Sequence, residues 1–168
     1  ATLSGDHTIC ITQQAPLQVS FTGTGPWDLV YSDGINTYAE SGLTSNPAVI
    51  QAPTGATTLN YVLVSVDGAC VGNVAGMSQV SIVSKPVAVL SAPNGICQGL
   101  GGMLSVQLSG NGPWDLSYSD GTNVWTESNI ASSPYSWNVN PSQDITYQLT
   151  DVSDVNCSGN VISVPVQV

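Results

Sequence analysis

Four cysteines (Cys10, Cys70, Cys97 and Cys157), one histidine, eleven acids and four tryptophans are the residues with chemical potential in this 168-residue chain. No CxxC pair occurs and His7 stands alone, so the thiols lack the spacing of a zinc site. A reactive thiol would need a neighbouring base, and the sequence offers none. Disulfides are the better reading, which puts the chain outside the cytosol. The spacing is equal in the two halves, 70 − 10 = 60 and 157 − 97 = 60. Bridges Cys10–Cys70 and Cys97–Cys157 are therefore expected, each worth roughly 4 kcal/mol in the chain-entropy picture.

The acids recur. Asp28/Asp115, Asp33/Asp120, Glu40/Glu127 and Asp67/Asp154 share one offset. Asp33 and Asp120 belong to Asp-Gly turns. Asp28, Glu40, Asp67, Asp115, Glu127 and Asp154 could together offer calcium an oxygen cage, but no EF-hand spacing is present and acids at strand edges also deter edge pairing. With one Lys and no Arg, they must be hydrated, held by backbone N–H groups or turns, or bound to a cation. No other cofactor is expected. General acid–base or triad catalysis needs a base within reach of a nucleophile, and His7 has no counterpart in the second half, so an enzyme is not expected.

Trp27-Asp28-Leu29-Val30-Tyr31 and Trp114-Asp115-Leu116-Ser117-Tyr118 place Trp, Leu and Tyr on one strand face at i, i+2 and i+4, the pattern of a core. Trp137 shares a face with Tyr135 and Val139 and reads as buried. Trp125, in a strand otherwise of Thr, Asn, Thr and Glu, is the candidate ligand contact.

Charged residues number only twelve, for a net charge of −10. So few cations exclude the counterion displacement that nucleic-acid binding needs and a basic patch for an anionic membrane. No apolar run approaches the ~18 residues of a spanning helix, so no membrane insertion is expected. The chain lacks an initiator Met and a signal-like leader and reads as a mature fragment.

What positions these residues is a repeat of 87. Cys10/Cys97 and Cys70/Cys157 share it, as do Gly25-Pro26-Trp27-Asp28-Leu29 and Gly112-Pro113-Trp114-Asp115-Leu116; residues 1–47 match 88–134 at 22 positions without a gap. Two homologous domains follow, residues 1–85 and 86–168, joined through Ser84-Lys85-Pro86 in what is expected to be a stiff rod. Leu17–Phe21, Leu104–Leu108 and Tyr147–Val152 alternate apolar and polar, Asp-Gly and Asn-Pro signals punctuate them, and no 3.6-residue period is sustained. About seven short strands in about 85 residues is the count of an immunoglobulin-like sandwich. The fold class is therefore all-β, two tandem immunoglobulin-like β-sandwich domains arranged end to end. The cysteines fall before the second strand and after the sixth, unlike the antibody bridge within those strands.

The pattern Ile-Cys…Leu-x-Val…Gly-x-Gly-Pro-Trp…Tyr-Ser-Asp-Gly…Tyr-x-Leu-x-x-Val…Asp-x-x-Cys resembles the tandem immunoglobulin-like or PKD-like repeats of secreted and cell-surface proteins of Bacteroidota, the gliding and adhesin arrays among them. The resemblance implies a non-catalytic structural or adhesive module, a stalk or spacer with a contact surface, exported by the type IX route. Its partners would be neighbouring repeats and a cell-surface glycan or protein. Two other readings stand beside it: a carbohydrate-binding accessory region of a secreted polysaccharide-degrading enzyme, and a filament subunit that completes a neighbour's sheet. A binding module should expose a coplanar aromatic pair, and a filament subunit should carry an unpaired edge at Ala1–Ser4 or Ile162–Val168.

Overall fold

The computed structural model describes residues 1–92, 96, 99–162 and 165–167, and the chain separates into two compact units, Ala1–Val83 and Ser84–Val168. The described residues are strands and turns without a helix.

The first unit holds β1 (Thr2–Ser4), β2 (His7–Cys10), β3 (Ala15–Ser20), β4 (Trp27–Ser32), β5 (Thr37–Leu43), β6 (Ala48–Ala52), β7 (Leu59–Asp67) and β8 (Ala75–Val83). One layer runs β6-β3-β1; the other runs β5-β4-β7-β8, with β2 on the far side of β8. Strand β8 touches both layers, its start lying parallel to β1 (Thr2↔Ala75, Leu3↔Gly76) and its remainder pairing with β7 and β2. Glycine is required at this crossing. Gly76 has φ +87°, and a Cβ there would sit 2.1 Å from the Leu3 carbonyl oxygen.

Period-two alternation dictates the core, because successive strand side chains point to opposite faces. In β3, Ala15, Leu17 and Val19 are buried, and in β4 so are Trp27, Leu29 and Tyr31. Tyr61 of β7 joins them and donates its hydroxyl proton to the Pro53 carbonyl.

The second unit repeats the plan with β9 (Val87–Ser91), β10 (Gly102–Ser109), β11 (Trp114–Ser119), β12 (Val124–Ile130), β13 (Tyr135–Val139), β14 (Thr146–Asp154), β15 (Asn160–Ile162) and β16 (Val166–Gln167). Its layers are β13-β10-β9-β15 and β12-β11-β14-β16. Leu104, Val106, Trp114, Leu116, Tyr118, Leu149 and Val152 form its core. Both units are immunoglobulin-like β-sandwiches, as the strand count implied.

One expectation fails here. Cys10 and Cys70 do not pair: Cys10 is disulfide-bonded elsewhere, and Cys70 carries a free, exposed thiol. Topology gives the reason. Cys10 closes β2 opposite Val83, whereas Cys70 shares a cleft with Ala1, whose carbonyl accepts the Ala75 N–H at the other end of β8. Eight residues of strand (83 − 75) separate those ends, about 26 Å at ~3.3 Å per residue, against the ~7 Å that a disulfide spans between Cα atoms. Cys157 is buried and disulfide-bonded, while Cys97 lies outside the described residues.

Candidate functional site

Five of the recurrent acids, Asp28, Asp33, Asp115, Asp120 and Asp154, are engaged by the protein's own backbone. In β4 and β5 the register slips between Trp27↔Leu43 and Leu29↔Glu40, a bulge that leaves an N–H without a ladder partner. Asp28 fills the gap, its Oδ1 accepting the Gly42 N–H at 2.8 Å, and Asp115 accepts the Asn129 N–H at 2.9 Å in the same bulge of the second unit. Gly42 and Asn129 both have positive φ, +68° and +58°.

Asp33 and Asp120 close the turns expected of them. Asp33 Oδ1 accepts the N–H groups of Ile35 (2.8 Å) and Asn36 (2.6 Å), and its Oδ2 accepts the Tyr38 hydroxyl at 2.8 Å. The Asn36 N–H above all, helped by the Ile35 N–H and the Tyr38 hydroxyl, holds the Asp33 carboxyl down at about 2. Asp120 is lowered by the same arrangement with Asn123 and Thr122.

Glu127 accepts the Tyr135 hydroxyl at 3.1 Å, and Glu40 lies near enough to Tyr31 to add to the rise that burial causes in that phenol's pKa. Asp154 Oδ1 accepts the N–H groups of Asn156 (2.8 Å) and Cys157 (2.7 Å), while its Oδ2 is buried without a hydrogen-bond partner. Asp67 makes no corresponding carboxylate bond among the described residues. No group of three or more His, Cys, Asp and Glu side chains stands close enough among the described residues to share a metal ion.

The recurrent tryptophans are core. Trp27 and Trp114 are 8% and 9% exposed. Phe21 stacks on Trp27 with ring centroids 4.6 Å apart and planes 6° from parallel. Each Trp ring folds back over the glycine two residues earlier: a Cβ on Gly25 or Gly112 would meet the ring at 2.8 Å. The Gly-Pro-Trp motif is thus a packing device.

Trp125 is 38% exposed, and its inner side lies on Tyr118, its register partner, at 5.3 Å. Tyr38 holds the same place against Tyr31 at 5.2 Å. Beneath Trp125, Tyr118 and Trp137 meet at 4.5 Å, and Tyr135 and Trp137 at 5.7 Å. Trp137 is only half-buried, less enclosed than its alternation suggests, and its indole N–H lacks a hydrogen-bond partner.

The feature that the sequence did not show is a cleft of about 380 Å³ in the first unit, lined by Phe21, Gly23, Trp27, Gly68, Cys70 and Gly72 among others. The free thiol of Cys70 stands at its rim, beside Val71, which is 83% exposed.

No family model matches the chain. Nucleoporin POM152 of Saccharomyces cerevisiae is similar to it, 28% identical over 183 residues that take in 95% of this chain and 14% of that protein's length. The chain thus spans about 14% of the curated relative it matches. Among solved structures, an I-band fragment from titin superposes with a TM-score of 0.47 at 12% identity, over 96% of this chain and 63% of that one. A 1.5-MDa bacterial ice-binding adhesin gives 0.43 at 12%, over 93% and 61%. The domains of chicken CNTN1 give 0.42 at 11%, over 100% and 64%. No helix of the described residues is long and apolar enough to cross a membrane.

Proposed function

We propose that this chain is a non-catalytic structural or adhesive segment of an extracellular repetitive surface protein, a spacer whose modules also offer contact surfaces. One observation carries the reading: the recurrent tryptophans and the recurrent aspartates of the bulges and turns are consumed by the fold itself. Trp27, Trp114 and their Leu and Tyr companions fill cores, and Asp28, Asp33, Asp115 and Asp120 tie bulges and turns. The disulfide-bonded Cys10 and Cys157 support an oxidising compartment. A bacterial source in the Bacteroidota and export by the type IX route belong to the same proposal and rest on the motif resemblance. Neighbouring repeats are the first partners it implies, and a cell-surface glycan or protein the second.

The carbohydrate-binding reading has less support. It needs a coplanar pair of exposed rings, whereas Trp125 is the one tryptophan among the described residues with more than a third of its surface exposed, and the ring beneath it, Tyr118, is buried. The filament reading needs an open edge: β1 is bonded on both sides, to β3 and to β8, whereas among the described residues β15 and β16 each end a sheet, paired with β9 and with β14 on one side.

Binding of immobilised polysaccharides and of bacterial cell walls, measured for the protein and for Trp125→Ala, tests the choice. The spacer reading expects the same weak retention for both. Polysaccharide binding that Trp125→Ala abolishes would replace it with the accessory-module reading.

A further inference from the structure

The alternation that buries Leu29, Tyr31, Tyr61 and Leu63 turns Val30, Val62 and Val64 to the outer side of the first unit's β5-β4-β7-β8 layer. Register joins them into one patch. Val30 pairs with Ala39 of β5 and Val62 with Met77 of β8, while Val64 is the extra residue of the β7 bulge opposite Val30 and Tyr31. Val64 is 51% and Met77 57% exposed; Val62 and Ala39 are exposed and Val30 is half-buried. The polar side chains beside them are neutral. Gln79 donates to Asn60 at 3.2 Å, and Ser32 donates to the Asn36 carbonyl at 2.7 Å. Carboxylates meet this face at its end, where Asp28 stands opposite Asp67.

The second unit serves as an internal control. Its register puts Ser117 in the place of Val30, Thr126 in that of Ala39, Gln148 in that of Val62, and Thr150 at the bulge in that of Val64, with Asp151 for Ser65. Ser117 and Thr126 hydrogen-bond to each other at 3.0 Å. An apolar side chain does occur at a corner of that face, Val124, where the first unit has Thr37. Core packing explains neither set, because Leu29/Leu116, Tyr31/Tyr118 and Leu63/Leu149 fill the two cores from the opposite side of the same strands. The apolar set thus has no task inside its own sandwich, and a contiguous exposed apolar patch marks an interaction surface.

We propose that this face of the first unit is a self-association surface that packs against the same face of a second copy of the chain. The proposal rests on the spacer reading and names which surface makes contact, and with what. Several features select that occupant. The centre of the patch is uncharged, so a charged partner gains nothing there. Aliphatic side chains offer a glycan neither a ring to stack on nor a hydrogen bond. A second unit's face would bury Gln148, Thr150 and Asp151 against valines without partners, which is costly. Two copies related by a two-fold axis instead bring Val62, Val64 and Met77 against their own equivalents, and one surface satisfies both partners.

The size of the face sets the strength. Four strands ~4.8 Å apart and six residues at ~3.3 Å each make a face of about 19 by 20 Å, on the order of 400 Å² and half the ~800 Å² that each side of a stable complex buries. A pair of single chains is therefore weak, and linked repeats gain by acting together. The net charge of −10 on each copy and the Asp28 and Asp67 carboxylates at the rim oppose association. Salt should strengthen it by screening, whereas a partner held by charge would be released.

Sedimentation of the 168-residue protein between about 10 µM and about 1 mM is expected to show a reversible monomer–dimer equilibrium that tightens as NaCl rises from about 50 to about 500 mM. Val62→Gln combined with Val64→Thr gives the first unit the residue types of the second without touching the core. It should weaken the dimer by about tenfold or more, with the melting midpoint unchanged. Val49→Gln, at an equally exposed valine of β6 in the other layer, should leave dimerisation as it was. In a mixture of ¹³C-labelled and unlabelled protein, intermolecular NOEs should connect the Met77 methyl with those of Val62 and Val64. A protein that stays monomeric over this range, a dimer indifferent to the double substitution, or one weakened as much by Val49→Gln would overturn the proposal. Retention on polysaccharide that the double substitution abolishes would give the face to a glycan and overturn it too. Trp125→Ala, which tests the spacer reading on the second unit, leaves this dimer unchanged, so the two readings fail separately.

Discussion

The Oδ1 atom of Asp28 accepts a hydrogen bond from the backbone N–H of Gly42 at 2.8 Å, joining residues fourteen apart in the chain across the β4–β5 bulge. The second unit reproduces it between Asp115 and Asn129 at 2.9 Å. A recurrent acid that might be taken for a ligand is in this way accounted for by a donor that the bulge leaves unpaired, because a backbone N–H denied its ladder partner must find another acceptor.

Replacing Asp28 with Ala removes that acceptor while water can partly replace it, so a loss of about 1 kcal/mol in the first unit is expected. Asp28→Asn keeps a side-chain oxygen and should lose less. Denaturant unfolding of the two variants measures the difference. Equal stability of Asp28→Ala and the parent would remove the bond from the list of what holds the bulge.

Gly25→Ala tests the packing device. The new methyl would lie 2.8 Å from the Trp27 ring, and forcing such a ring to move in a packed core costs about 1–3 kcal/mol. Gly112→Ala should behave alike against Trp114, and a scanning-calorimetry midpoint unchanged in both variants would contradict the account.

Much of this was legible beforehand, and the limits are physical. The i, i+2, i+4 faces of Trp27-Leu29-Tyr31 and Trp114-Leu116-Tyr118 are set by strand geometry, so alternation alone located the cores. The cysteine spacing of 60 carried no such constraint: it gives a loop length but not the end of the sandwich at which each thiol emerges. That required the pairing of β2 and Ala1 with opposite ends of β8. The bond from Asp28 to Gly42 was hidden for a similar reason, since bulges leave no period. A trace existed, because Gly42 and Asn129 occupy equivalent positions and are both residue types that tolerate positive φ.

Asp33 makes a pH prediction. Its carboxyl titrates at about 2 in the folded protein, below the ordinary value near 3.9. A depressed folded pKa stabilises the protein above the unfolded value, and that contribution fades as pH falls from about 4 through 2. Carboxyl chemical shifts followed by NMR should place Asp33 at the low end of the aspartates. A midpoint near 4 would refute the turn's grip on it.

Tyr61 does the reverse at high pH. Burial, chiefly, pushes its phenol up to about 12. A raised folded pKa stabilises the protein below the unfolded value near 10 and loses that contribution as pH climbs through 12. Absorbance at 295 nm should show Tyr61 ionising only as the first unit unfolds, and Tyr61→Phe should remove its share of the alkaline transition. Reversible ionisation of Tyr61 near pH 10 in the folded protein would contradict its burial.

Calcium provides the last test. The net charge of −10 means that any divalent ion relieves repulsion by general screening. A specific site would do more, adding roughly 2.7 kcal/mol at a hundred times its dissociation constant by binding only the folded state. The carboxylates of Asp28, Asp33, Asp115 and Asp120 already accept backbone N–H bonds, and Glu127 holds the Tyr135 hydroxyl. A cation would have to compete with those donors or settle at Asp154 Oδ2, the one carboxylate oxygen of the described residues that is buried without a partner. Millimolar CaCl₂ and MgCl₂ are therefore expected to raise the melting midpoint by the same few degrees over protein in EDTA. A calcium-specific rise that Asp154→Asn abolishes in the second unit, or Asp67→Asn in the first, would make these modules calcium-stiffened and return the recurrent acids to the role of ligands.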